Sequence, residues 1–135
     1  MKPIQNNDWV KNPIIKLNKP FIDERGKIQN LISLNELQSV VIIESKKDTI
    51  RANHYHKTDW HYCYVMSGSI DYYSRKVDSD NDPVLTKIKS GDLFYTPHLV
   101  EHAMHFTKDT VFLTLGGGTR SHDDYESDLV RVKLI

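Results

Sequence analysis

The stretch NHYHKTDWHY, residues 53–62, holds His54, His56 and His61, three of the seven histidines in the chain. Imidazole does two kinds of chemistry near neutral pH: it takes up a proton, and in its neutral form it ligates divalent metals. In a β-strand alternate residues share a face, so His54 and His56 project together. If HYCYVM is the next strand, His61 shares a face with Cys63 and Val65 and meets the pair across a hairpin made by KTDW. A fourth histidine, His102, lies on GDLFYTPHLVEHAMHF (91–106), on the face it shares with Met104 and Phe106. Converging imidazoles would repel one another if protonated and would need several partners if neutral. A divalent metal resolves both problems. His54, His56, His61 and His102 are therefore the expected ligands, with nitrogens roughly 3–3.5 Å apart around the ion. Such a set adds no charge and suits zinc, nickel, copper or ferrous iron. His98, His105 and His122 are expected at the surface or behind the site.

The elements that must position these residues read as short strands. VVIIES (40–45), YCYVMS (62–67), SIDYYSRKV (69–77), VLTKIK (84–89), LFYTP (93–97), HAMHF (102–106) and TVFLTL (110–115) are separated by turn residues. Regular short strands with turns between them predict an all-β sandwich or barrel. FIDERGKIQNLIS (21–33) reads as a turn at DERG and a strand, with Gly26 in a conformation other residues avoid. SLNELQSV (33–40) is the only segment expected to make a helical turn. The tail opens on three glycines and ends on alternating Val130, Val132 and Leu134, the pattern of a last strand.

The whole chain narrows the classes further. Its 135 residues suit one domain spanning 1–135. Eighteen basic residues balance eighteen acidic ones, so no excess charge points to nucleic acid or an anionic membrane. The single cysteine, Cys63, excludes an internal disulfide and fits a reducing compartment. The first residues lack the apolar run of a secretory signal, and no stretch is long and apolar enough to cross a bilayer. The expectation is a cytoplasmic protein without a membrane or nucleic-acid partner.

Residues 54–68 resemble the first motif of the cupin superfamily. His54-Tyr55-His56 is followed by four residues, then His61, six residues and Gly68. Residues 91–102 resemble the second motif, with Gly91, five residues, Pro97 and His102. The resemblance implies a double-stranded β-helix, the jelly-roll cupin barrel. The chain departs from the pattern at four places. His61 stands where most cupins have a glutamate ligand, Asp48 and Leu99 stand where glycine is usual, and Phe106 stands where asparagine is frequent.

A finer resemblance joins FIDERGKIQNLI, IRANHYHK, VMSGSIDYYSR, TPHLVEHAMHF and DTVFLTL to cupins that modify nucleotide-linked keto-sugars. These are the dTDP-4-dehydrorhamnose 3,5-epimerases, the dTDP-sugar 3,4-ketoisomerases and the cupin domain of capsular UDP-sugar enzymes. It implies proton transfer beside a carbonyl, with His54 matching the histidine base and Arg51 placed for a diphosphate. Lys57 and Arg25 are further candidates for that contact. A metal-bound His54 leaves the proton to another group, for which Tyr95, Tyr64 and His105 are candidates. Two other classes stay open: a metal-dependent oxygenase of a small organic substrate, and a sugar- or small-molecule-binding module without catalysis. Tyr62, Tyr64, Tyr72 and Tyr73 are expected to cover a sheet face or a dimer contact. A homodimer is expected, with DWVKNPIIKL crossing to the partner's sheet.

Overall fold

The computed structural model describes residues 8–118 and 122–135, with the side chain of His122 outside the described set. Among the described residues twelve strands and one helix follow in order: β1 (Ile14–Ile15), β2 (Phe21–Asp23), β3 (Gly26–Ile28), β4 (Ser39–Ser45), β5 (Ile50–His56), β6 (His61–Ser67), β7 (Ser69–Lys76), β8 (Val84–Lys89), β9 (Leu93–Thr96), β10 (Val100–Phe106), β11 (Thr110–Gly116), α1 (His122–Asp128) and β12 (Leu129–Arg131). Every pairing is antiparallel. One sheet runs β1-β9-β6-β11-β4, the other β12-β5-β10-β7-β8, and β2–β3 is a separate hairpin. Two facing antiparallel sheets joined by repeated crossovers make a jelly roll, as the strand pattern predicts.

Alternation along the strands fills the space between the sheets. Cys63, Val65, Ile70, Tyr72, Ile88, Phe94, Met104, Phe106 and Phe112 form the inner core. This apolar plug occupies one end of the barrel and leaves the other end for the histidines. A second cluster lies on the outer face of the first sheet, where Tyr62, Leu93 and Leu115 pack beneath Ile15, Leu17, Ile32, Leu34 and Leu37. Tyr62 thus covers a sheet face, whereas Tyr72 is a core residue.

SLNELQSV, expected to make a helical turn, forms no helix; its last residues enter β4. The described helix is α1, in a polar tail that carries no apolar period. The N-terminal segment lies along the first sheet of its own chain: Ile14 pairs with Phe94, and the Trp9 ring meets the Tyr95 ring at 4.8 Å. Gly26 does adopt the left-handed region, with φ +133°. No helix among the described residues is long and apolar enough to cross a membrane.

Candidate active site

β5 and β10 lie side by side, and His54 sits directly opposite His102. His56, two residues on, faces the same interior. Ring centroids are 4.8 Å apart for His54–His56 and for His54–His102, and 5.9 Å for His56–His102. His61 enters from the other sheet. The segment Lys57–Trp60 is not a hairpin between paired strands, because β5 pairs with β10 and β12 while β6 pairs with β9 and β11. It crosses the barrel end, and His61 faces His56 across the gap at 5.0 Å between centroids. All four rings line one cavity of about 370 Å³.

Burial and hydrogen bonds fix the state of these rings. Relative exposure is 5% for His54, 1% for His56, 5% for His61 and 3% for His102. Burial first, then the neighbouring His102 and His56, push the His54 pKa down to about 2. Burial and His56 push His102 down to about 4, against a raising hydrogen bond to Val100. Both rings are neutral at physiological pH. His102 Nδ1 lies 3.2 Å from the Val100 carbonyl oxygen, which can only accept, so Nδ1 carries the hydrogen and Nε2 keeps the lone pair. His56 Nδ1 lies 3.2 Å from Asp128 Oδ2, and the same logic puts the hydrogen on Nδ1, so that in the neutral ring Nε2 is the acceptor. His54 Nδ1 has no hydrogen-bond partner among the described residues.

Asp128 organises this corner. Its Oδ2 accepts from the Asp59 amide at 3.0 Å as well as facing His56. Its Oδ1 accepts from the Thr58 amide at 3.0 Å and the Thr58 hydroxyl at 2.6 Å. Burial alone would raise its pKa, but the bonds from Thr58, Asp59 and His56 outweigh that and hold it below the ordinary value. His61 has its own carboxylate: Nε2 is 3.3 Å from Asp59 Oδ2. The three glycines that open the tail have a packing role. A side chain on Gly116 would strike the His61 ring, on Gly117 the Trp60 ring, and on Gly118 the Asp59 carboxylate. Each glycine makes room for one residue of the 59–61 segment.

The other candidates divide. Arg51 lines the cavity at its rim, held by Nε to Ser45 Oγ at 2.7 Å and Nη2 to the Glu44 carbonyl at 3.1 Å. Tyr95 does not reach the cavity. On β9 alternation turns Phe94 and Thr96 inward and Tyr95 outward, where it packs on Trp9 and Tyr62. Tyr64 lies on that same outer face. His98 is exposed, and His105 pairs with Asp48 at 3.6 Å, away from the cavity. Arg25 is tied to Asp23 at the tip of the β2–β3 hairpin, and Lys57 is exposed outside the cavity. Tyr125, Asp128 and Arg131 join the site without belonging to any motif in the sequence. All three come from α1 and β12; Tyr125 and Arg131 line the cavity, and the Tyr125 ring lies 5.6 Å from that of His56. No local signal marks them, because the contacts span some seventy residues of chain.

The donor set suits a divalent metal. His54, His56 and His102 offer ligand nitrogens that all lie within 4.8 Å of one another, and His61 is outside that group. Tetrahedral zinc with bonds of about 2.0–2.1 Å needs nitrogens about 3.4 Å apart. His54 and His102 are neutral, and Asp128 and the Val100 carbonyl support His56 and His102 from behind, as metal-binding histidines require. The trio fits a three-ligand site with an open position, after a modest closing of the rings.

No protein-family model and no curated protein sequence matches the chain. Solved structures do. The 3,4-ketoisomerase QdtA from Thermoanaerobacterium thermosaccharolyticum, in complex with TDP, is 22% identical, with 87% of this chain on 85% of that one and a TM-score of 0.69. A 3,4-ketoisomerase from Helicobacter canadensis is 19% identical, with 87% on 88% and a TM-score of 0.71. The dTDP-4-dehydrorhamnose 3,5-epimerase from Sulfolobus tokodaii is 15% identical, with 79% on 70% and a TM-score of 0.65. These likenesses establish the fold of the chain, a jelly roll shared with those three enzymes.

Proposed function

We propose that the protein is an isomerase or epimerase of a nucleotide-linked keto-sugar, moving a proton at the carbon beside the carbonyl. The observation that carries this reading is the His56–Asp128 pair beside two further neutral imidazoles in a cavity with arginines at its rim. The keto group acidifies the neighbouring C–H. His56 Nε2 accepts that proton, and Asp128 both fixes the tautomer and stabilises the imidazolium that forms. His56 then delivers the proton to the former carbonyl carbon, giving ketoisomerisation; epimerisation instead needs a second acid on the opposite face of the ring to protonate the original carbon. Ketoisomerisation also moves a hydroxyl proton between adjacent oxygens. His54, which meets both His56 and His102, is placed to relay it. Arg51 and Arg131 line the cavity as the candidate cations for a diphosphate, which Arg131 would bind in place of its 3.1 Å ion pair with Glu126. QdtA has been solved with TDP-4-keto-6-deoxyglucose, which makes that sugar nucleotide the first substrate to offer. The expected result is a new keto-sugar in the proton NMR spectrum, absent with His56→Asn. No conversion of any dTDP- or UDP-linked 4-keto-hexose would overturn the reading.

A second reading keeps the same reaction and adds a metal, favoured by the close trio of imidazoles. His54, His56 and His102 would hold the ion, which when bound supplies a Lewis acid for the carbonyl oxygen. His61, backed by Asp59, is then the cavity imidazole left outside the ligand set. Cobalt titration followed by visible absorption distinguishes the two: the metal reading expects binding that His102→Ala abolishes and His61→Ala retains. Neither the oxygenase nor the binding-module alternative gains support from the comparisons.

A homodimer belongs to the same proposal. Val40 and Ile42, both 61% exposed, lie on the edge strand β4, and Phe21, Ile22 and Ile28 stand out on the β2–β3 hairpin. Exposed apolar edges of this kind need covering. Sedimentation equilibrium at micromolar concentration should return twice the chain mass, and a monomer would refute it.

A further inference from the structure

Arg51 and His54 are three residues apart on one strand, yet both line the cavity. Regular alternation would send them to opposite faces. The pairing of β5 with β10 shows how the chain avoids this. His102 is opposite His54 and Met104 is opposite Arg51, but Ala103 is opposite Ala52, so Asn53 has no counterpart. It is the extra residue of a β-bulge, a device that re-aims side chains. Ala52 and Asn53 both adopt left-handed backbone, with φ +70° and +54°. Such a conformation disfavours residues other than glycine and is tolerated by asparagine. Two successive residues there need support from outside the strand.

That support comes from residues 132–135. The Asn53 carbonyl accepts from the Val132 amide at 2.9 Å. Its Oδ1 accepts from the amides of Leu134 at 3.0 Å and Ile135 at 3.2 Å, and its Nδ2 donates to the Ile135 carbonyl at 3.3 Å. One residue thus makes four bonds to a segment some eighty positions away. We infer that Asn53 is a positioning residue: tied to residues 132–135, it holds the bulge that turns Arg51 and His54 into the same cavity. The geometry stands without the proposed reaction; only the turnover measured below rests on that reading.

The test compares full-length Asn53→Gly, Asn53→Asp and Leu134→Pro. Glycine accepts the left-handed backbone but loses the side-chain tether. Aspartate keeps the acceptor, and proline at 134 removes one N–H that the tether uses. Imidazole resonances are read in long-range proton–nitrogen spectra, with thermal unfolding as the control for folding. Asn53→Gly and Leu134→Pro should both move the His54 resonances and leave those of His61, held by Asp59, in place. Turnover of the keto-sugar should fall on the order of tenfold to a hundredfold, as expected for a misplaced group. Asn53→Asp should recover most of it. Unchanged His54 resonances in Asn53→Gly would overturn the inference. So would an equal shift of all four cavity histidines with a lowered melting temperature, which marks a merely structural role. If the wild-type protein converts no keto-sugar, the proposed function fails, and the resonances alone decide the role of Asn53.

Discussion

Replacing Asp128 separates its structural role from its chemical one. The carboxylate accepts from His56, the Asp59 amide, and the amide and hydroxyl of Thr58. Hydrogen bonds to charged acceptors contribute about 1.5–3 kcal/mol each, but groups that find water on mutation lose much less. Thr58 is exposed and rehydrates; His56 is buried and does not. Asp128→Ala should therefore cost about 2–4 kcal/mol, a fall of about 8–15 °C in Tm for a domain of this size. Asp128→Asn keeps the shape and an acceptor for Thr58. It presents an amide N–H₂ toward His56 or the Asp59 amide, so it should cost about 1–2 kcal/mol. Its larger effect falls on the tautomer. His56 Nδ1 then accepts, the hydrogen moves to Nε2, and the lone pair needed in the cavity is lost. Turnover should drop about a hundredfold or more while KM changes little. Thermal unfolding, steady-state kinetics and histidine tautomers from proton–nitrogen spectra are the assays. An Asp128→Asn enzyme with unchanged kcat and a hydrogen still on His56 Nδ1 would refute the reasoning.

Leu99 holds φ +58° where the second cupin motif usually has glycine, while its amide donates to the His56 carbonyl. Leu99→Gly should relieve about 1–2 kcal/mol of backbone cost and give back about half to unfolded-chain entropy, so Tm should rise by a few degrees; a lowered Tm would contradict this. Gly116→Ala places a carbon 2.8 Å from the His61 ring. It should cost about 1–3 kcal/mol and displace His61 from Asp59 in a crystal structure, and an unmoved ring with wild-type Tm would count against the packing argument. In metal-free protein His54 and His102 bind protons more weakly folded than unfolded. Their contribution is therefore complete above about pH 6.5, and stability falls below it with a slope approaching two protons down to pH about 4. Urea unfolding across pH 5–8 measures this, and a flat profile below pH 6.5 would contradict neutral burial.

Much of the barrel is legible because strand alternation and turn residues are local properties. VLTKIK becomes β8 residue for residue, and His54, His56 and His102 share a cavity because a period of two put them there. The cupin resemblance also located backbone strain: Asp48 and Leu99, the two positions where the motifs favour glycine, both have positive φ. What the residues did not disclose is long-range. His61 belongs to the opposite sheet because residues 57–60 cross the barrel, so it stands apart from the trio. Tyr95 points outward because alternation on β9 turns its neighbours Phe94 and Thr96 inward. Asp128 and Asn53 matter through partners far along the chain, and α1 forms in a polar segment whose hydrogen bonds to Thr58 and Asp59 replace an apolar stripe.

The most direct measurement is solvent exchange. The protein is incubated with dTDP-4-keto-6-deoxyglucose in deuterium oxide and the sugar protons are followed by NMR. Deuterium should enter at the carbon beside the carbonyl in the wild-type protein, more slowly in Asp128→Asn, and not at all in His56→Asn. A bound sugar nucleotide in which no carbon-bound proton is either exchanged or moved to the neighbouring carbon would contradict proton transfer as the chemistry of this site.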